Sequence, residues 1–286
     1  MRLPSIRRMP VPGKHFCRRQ ALLVGCLGAI LGAAQPLQSQ DQPLQSQELR
    51  LDLPQETVLS LVWIPPGEFT MGGPAPLPHA VSGRAVVVRL SRGFFLGQTE
   101  VTQQQWTAVM ATKPWAGRPG VVDDPQHPAV FFSWQEWTQF LQRLGALTGK
   151  SVRMPTEAEW EYACQSGATD TAAELAERVW FFDNAYGAGD RHAMAVGTRN
   201  PDRLGLFDMR GNVWEWVADW YDPAFGLPPD SGSAADPHGP DRGSHRVKRG
   251  GSYLDFGQSV HCSARDGYSA DGRYVNIGAR VVVDAD

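Results

Sequence analysis

Basic charge is in short supply. Six of the 27 lysines and arginines lie in the first 40 residues, ahead of the first acid at Asp41. The remainder therefore sets 21 bases against 30 acids, a formal charge of −9. This deficit excludes the electrostatic footprint of a nucleic-acid binder and suits a solvated acidic exterior, cations or basic surfaces. Long apolar runs are also missing: after Ala34 no segment is apolar enough to span a bilayer. The seven histidines (His15, His79, His127, His192, His238, His245, His261) show neither H-x-x-x-H nor H-E-x-x-H spacing, so no zinc-protease helix is present. Ser252 lies in no G-x-S-x-G elbow, and the D-x-[DN]-x-[DN]-G calcium loop is absent.

The chain is rich in chain-bending residues, with 30 glycines and 22 prolines, and it carries 10 tryptophans. With 42% hydrophobic residues it has material for a core, so the composition predicts an ordered α+β fold, loop-rich and poor in long helices.

Residues 1–34 read as an export signal. Basic residues ending in Arg18-Arg19 precede an apolar run, Ala21 to Ala34, too short for a permanent span, and Gly32-Ala33-Ala34 offers a cleavage site. Arg18-Arg19-Gln20-Ala21-Leu22 loosely resembles a twin-arginine signal. The expected location is periplasmic or secreted, with no stable membrane span after cleavage. Residues 35–55, with QPLQSQ twice, read as a Gln-rich flexible linker, and residues 56–286 as the folded domain.

Within the domain, Leu59–Trp63 and Phe69–Met71 predict strands either side of Pro65-Pro66-Gly67, and Ala85–Leu90 with Gly93–Gly97 a second pair. Thr102/Gln105, Ser133/Glu136 and Thr156/Glu159 are capping boxes that open three helices. The aromatics of those helices, Trp106, Trp134, Trp137 and Trp160, read first as core. Asp222–Ser244 reads as a long surface loop, and Arg246–Tyr253 and Gly278–Val283 as closing strands.

One stretch, Gly205–Tyr221, sets Trp214, Trp216 and Trp220 among Asp208, Glu215 and Asp219. Rings favour burial and carboxylates resist it unless paired or metal-bound. Two readings stand: a hard cation held by Asp208 and Glu215, or a core strand whose acids sit in solvent.

A resemblance to a known family rests on motifs spread over most of the chain. They are Val62-Trp63-Ile64-Pro65-Pro66-Gly67 with Phe69-Thr70-Met71-Gly72, Thr99-Glu100-Val101-Thr102, and His127-Pro128-Ala129-Val130 with Ser133-Trp134. Arg153-Met154-Pro155-Thr156-Glu157-Ala158-Glu159-Trp160, the stretch just described, Arg249-Gly250-Gly251-Ser252 and Gly278-Ala279-Arg280 follow. In this order they resemble formylglycine-generating, or sulfatase-modifying-factor, domains. The resemblance implies a fold related to the C-type-lectin-like superfamily, with little regular secondary structure. It implies a calcium site formed by the side chains of Asp208 and Glu215 and the carbonyls of Gly211 and Val213, with Asp208 standing where the family has Asn. It implies a disulfide between Cys164 and Cys262, and a binding pocket about Trp214, Ser252, Asp255 and His261.

The sulfatase-activating members of that family use two cysteines after the Gly-Gly-Ser motif to bind copper and oxidise a substrate cysteine. The first should fall near Asp255, and the segment from Asp255 to His261 contains none. No copper is therefore expected. The expectation is a non-catalytic exported module binding a peptide, glycan or partner protein. The alternatives are a formylglycine-generating oxidase, or an iron-dependent oxygenase using His261, Asp255 and a further histidine.

Overall fold

A computed structural model describes residues 47–72, 85–168, 172–223 and 233–285 of the chain. The export signal, the 35–46 part of the Gln-rich segment and the 224–232 part of the surface loop lie outside the described residues. The first half builds β1 (Glu48–Leu53), β2 (Thr57–Ile64), β3 (Gly67–Met71), β4 (Val86–Leu90), β5 (Phe94–Gly97), α1 (Gln103–Met110) and α2 (Trp134–Thr148). The second half builds β6 (Val152–Arg153), α3 (Glu157–Gly167), α4 (Ala172–Arg178), β7 (Trp214–Trp220), β8 (Ser233–Ala235), β9 (Arg246–Arg249), β10 (Arg265–Tyr268), β11 (Ile277–Gly278) and β12 (Val282–Asp284). The class is α+β, with short strands and long connections.

Among the described residues three sheets form, in the orders β1-β2-β5-β12-β6, β10-β9-β7-β11 and β3-β4-β8. Strand β1 corrects the expected linker. Leu49, Leu51 and Leu53 alternate with polar residues, and β1 pairs antiparallel with β2 throughout, Glu48 opposite Val62 and Leu53 opposite Thr57. The folded domain therefore includes residues 47–55, the polar repeat giving way to period-two alternation just before β1. The expected strand pairs also regroup. Pro65-Pro66 cannot donate to a ladder, so β2 ends there and pairs with β1 and β5, while β3 joins β4 in another sheet. The expected strand over Gly278–Val283 divides between two sheets as β11 and β12.

All three capping boxes form. Thr102, Ser133 and Thr156 each accept the amide three residues on, while Gln105, Glu136 and Glu159 reach back to the cap amide. The buried faces of α1 and α2 meet in a stack: Trp106 lies 4.5 Å from Phe132 and 5.3 Å from Phe140, which is 4.8 Å from Trp137. Trp134 separates from Trp137. It donates to Val217 O at 2.9 Å, and Arg246 lies between it and Trp220, 3.8 and 3.5 Å from the two rings. Cys164 of α3 and Cys262 are joined in a disulfide, with Cα atoms 5.5 Å apart.

Candidate functional site

The site is assembled by one sharp turn beside β7. Trp214 opens β7, which lies antiparallel to β9 with Glu215 opposite Arg249 and Trp216 opposite Lys248. Strand β9 stops at Arg249 because Gly250 and Gly251 both take positive φ, +95° and +82°, short of the Tyr253 expected from sequence. At Gly250 a Cβ would lie 2.9 Å from Met209 O and 3.0 Å from the Trp160 ring, so a side chain is excluded by space as well as by backbone.

Beyond this turn the chain brings Ser252 and Asp255 alongside Trp214. Asp255 Oδ2 accepts from the Trp214 indole at 2.9 Å, from Ser252 N at 2.9 Å and from Ser252 Oγ at 2.6 Å. Asn276 donates to Ser252 Oγ at 3.3 Å. Lys248 lies beneath, its Nζ 4.0 Å from the Trp214 ring and 3.9 Å from the Tyr268 ring, paired with Asp266 at 3.4 Å. Burial draws the Lys248 ammonium below its ordinary value. Three of the four expected pocket residues are thus joined directly, but they satisfy one another and Ser252 is fully buried. The His261 Nδ1 lies 2.8 Å from Ser263 Oγ.

An apolar ledge borders Asp255, whose carbonyl accepts from Phe182 N at 2.9 Å. Phe182 packs on Phe256 at 4.6 Å and on Tyr186 at 5.6 Å, and Tyr186 is 6.4 Å from Tyr253. Phe256 is 53% exposed and Leu254 lies beside it in the chain, 36% exposed. Sequence reasoning passed over Phe182 and Tyr186, which open two short 3-10 turns, Phe182–Asn184 and Tyr186–Ala188, too short to show a period.

Behind Trp214 is a buried ionic layer. Asp208 and Asn212 take the left-handed conformation, φ +56° and +47°, which short polar side chains tolerate. Gly211 between them is obligatory, since a Cβ there would lie 2.1 Å from Trp180 O. Val213 packs into the core against Gly278. Glu215 is held by Arg280, with Nη2 2.6 Å from Oε1 and Nε 2.7 Å from Oε2, and Oε2 also accepts the Trp160 indole at 2.7 Å. Asp208 Oδ2 accepts from Gly197 N at 2.7 Å, while its Oδ1 is buried without a partner. Glu100, which the sequence reading did not place here, accepts from Asn212 Nδ2 at 3.1 Å through Oε1, and its Oε2 is likewise unpartnered. Burial raises the Asp208 carboxyl to about 6, against the Gly197 amide and Arg280, which lower it. The solvent-exposed reading of this stretch therefore needs correction. The stretch is a core strand, as that reading held, but Asp208, Glu215 and Asp219 are buried rather than solvated. As for the other, the Glu215 carboxylate is engaged by an arginine.

Residues 47–285 match the model of the sulfatase-modifying factor enzyme 1-like domain. The chain belongs to this family. It is 32% identical over 191 residues to a formylglycine-generating enzyme of Streptomyces coelicolor, a match covering 61% of this chain and 58% of that protein. It is 28% identical over 296 residues to a formylglycine-generating enzyme of Thermomonospora curvata, covering 81% and 95%. The match to the Streptomyces enzyme thus spans less than two thirds of that protein's length. Among solved structures, Treponema denticola variable protein 1 superposes with a TM-score of 0.72 at 23% identity, covering 83% of this chain and 99% of that one, a likeness of fold.

Both cysteines among the described residues, Cys164 and Cys262, are joined in the disulfide. Among the described residues no group of three or more His, Cys, Asp or Glu side chains is arranged to hold a metal. His261, Asp255 and a further histidine do not form such a group among the described residues. The buried oxygens of Asp208 and Glu100 that lack donors nevertheless fit a hard cation completed by backbone carbonyls.

Proposed function

We propose that this is an exported, non-catalytic member of the family, a polypeptide-binding domain whose scaffold is held by calcium. The observation that carries this reading is the Asp255 carboxylate, locked by the Trp214 indole and by the amide and hydroxyl of Ser252. A hard carboxylate cannot stand in for a soft thiolate toward copper(I). The ledge of Phe182, Tyr186, Leu254 and Phe256 supports a peptide or partner-protein ligand that buries apolar side chains there, since exposed aromatic patches mark interaction sites. Their ring faces are also the feature that favours a glycan as the second ligand class.

Calcium would bind Asp208 with the carbonyls of Gly211 and Val213, pinning the turn that leads into β7 and neutralising its buried charge. Export is supported by the basic and apolar pattern of residues 1–34 and by the disulfide, a bond that persists in oxidising compartments. An oxidase reading is favoured by the bacterial relatives, which are formylglycine-generating enzymes. Incubating the protein with copper and a Cys-x-Pro-x-Arg peptide, then weighing the peptide, separates the two. Unchanged cysteine is expected, and formylglycine in the product overturns the non-catalytic reading. Panning random displayed peptides should enrich binders to the parent and not to Phe256→Asp; equal enrichment on both removes the ledge as the binding surface.

A further inference from the structure

A cavity of about 280 Å³ opens between the β1–β2 turn, α1 and the chain from Lys113 to Pro125. None of its lining residues belongs to the ledge or to the group about Trp214. Its volume lies at the lower end for small-molecule pockets, room for one ring rather than for a nucleotide or a peptide.

The lining carries hydrogen-bonding groups of both kinds and no net charge. Lys113 and Asp123 pair at 3.1 Å, and the Trp115 indole donates to the same carboxylate oxygen at 3.3 Å. These two donors hold the Asp123 carboxyl below its ordinary value, so the pair stays ionised and neutral as a unit. The Gln103 carboxamide is spent on Val122 O and the Asp124 amide. Gln104 Oε1 accepts from Gln126 at 3.3 Å, which leaves the Gln104 Nε2 protons unused. The Gln55 carboxamide has no hydrogen bond among the described residues, so it offers both a donor and an acceptor. Trp115 and Pro125 supply an apolar wall.

Gln55 is held at this position against its backbone preference. It and Glu56 are the central residues of the β1–β2 turn, closed by Thr57 N on Pro54 O at 3.4 Å, and both take positive φ, +61° and +54°. Turns with two such residues favour Asn-Gly, because glycine adopts this conformation freely. Glutamine followed by glutamate forgoes that stability. Strained backbone of this kind concentrates at binding and catalytic sites, and Gln55 lines the cavity.

We propose that this cavity binds a neutral monosaccharide, whose hydroxyls meet the Gln55 and Gln104 carboxamides and the Asp123 carboxylate. A charged ligand would leave an unbalanced charge against a neutral lining, and an apolar one would strip water from the carboxamides without replacing it. Sugar hydroxyls, each donor and acceptor at once, match carboxamide and carboxylate groups. The apolar wall accommodates the C–H face of the ring.

The test applies saturation-transfer NMR and tryptophan fluorescence to the full chain. The probes are glucose, galactose, mannose and N-acetylglucosamine, with butyrate and butylamine as charged controls. One or more of the sugars should bind the parent, and neither control should. Gln55→Gly should weaken that sugar's binding by about tenfold, the worth of one or two hydrogen bonds. It should also melt above the parent, because glycine relieves the turn, so the loss of binding is not a loss of folding. Gln104→Ala should weaken binding in the same direction. If none of the four sugars binds, or if a charged control binds in their place, the proposal is overturned. Sugar binding unchanged in Gln55→Gly places the sugar elsewhere and overturns it as well. Should Gln55→Gly melt below the parent, Gln104→Ala decides, and binding unchanged in that variant overturns the proposal.

Discussion

Asp219 lies near the end of β7 with its Oδ2 accepting the Glu157 amide at 2.7 Å, in the first turn of α3. That helix terminus favours a negative charge, but burial and the neighbouring Glu157 carboxylate outweigh it and raise the Asp219 carboxyl from 3.8 to about 7. The sign follows from linkage. Between pH 4 and 7 the folded state holds a proton that the unfolded state has lost, so this group lowers stability as pH rises and does so fully above pH 7. Each pH unit in that window is worth about 1.4 kcal/mol. Asp219→Asn keeps an acceptor for the Glu157 amide and removes the charge. It should melt well above the parent at pH 8 and close to it at pH 4; a constant difference across that range would contradict the assignment. Glu161 is raised in the same direction by burial, but it has Arg249 against it. Asp219 has no such ion pair within bonding distance among the described residues.

At the scale of the element, α3 is held at its start by a local device and along its length by distant ones. Thr156 caps it, and Glu159 both returns to the cap amide and takes Arg153 through two bonds of 2.6 and 2.7 Å. Thr156→Ala should therefore cost about 1 kcal/mol, the usual worth of a cap, because the Arg153–Glu159 pair survives it. Urea unfolding midpoints measure this, and a loss several times larger would mean the cap also orders the loop before it. Devices of this kind were legible in the sequence because partners three residues apart need no tertiary contact. Strand partners were not. Nothing local in Phe69–Met71 says that it pairs with Val86–Val88 rather than with the strand across Pro65-Pro66. The polar repeat before Glu48 masked a strand whose alternation is only six residues long. At the site, Trp214, Ser252 and Asp255 were placed by motif register, and they do meet. Glu100 and Arg280 were missed as parts of the ionic layer because each arrives from a separate strand end, 0% exposed, with no period or spacing that joins it to Asp208.

At the scale of the molecule, the disulfide and the ion pairs bind α3 to the four-stranded sheet. Cys164 and Cys262 are 98 residues apart, and Arg249, on β9, reaches both Glu157 and Glu161 of α3. Arg265 of β10 adds a two-bond pair to Glu157, at 2.6 and 2.9 Å. Closing a loop of that length is worth about 4 to 5 kcal/mol in the chain-entropy model, less any strain. The double variant Cys164→Ser, Cys262→Ser should lose about 3–5 kcal/mol in denaturant while remaining folded on its ion pairs; reduction of the parent should lower its midpoint equally. A loss under 1 kcal/mol would assign the seam to the ion pairs alone.

Strand β12 sits inside the five-stranded sheet, Val282 paired with both Leu96 and Arg153. Until residues 282–284 have been synthesised, β5 and β6 flank a vacant slot and each presents a raw edge. The β1-β2-β5 part of this sheet can form as the chain emerges, but the sheet cannot be completed until β12 arrives. It waits for nearly the whole domain to leave the ribosome, and a chain halted shortly before Val282 carries an open edge on β5, which is paired only with β2, and an unpaired β6 that cellular quality control can detect.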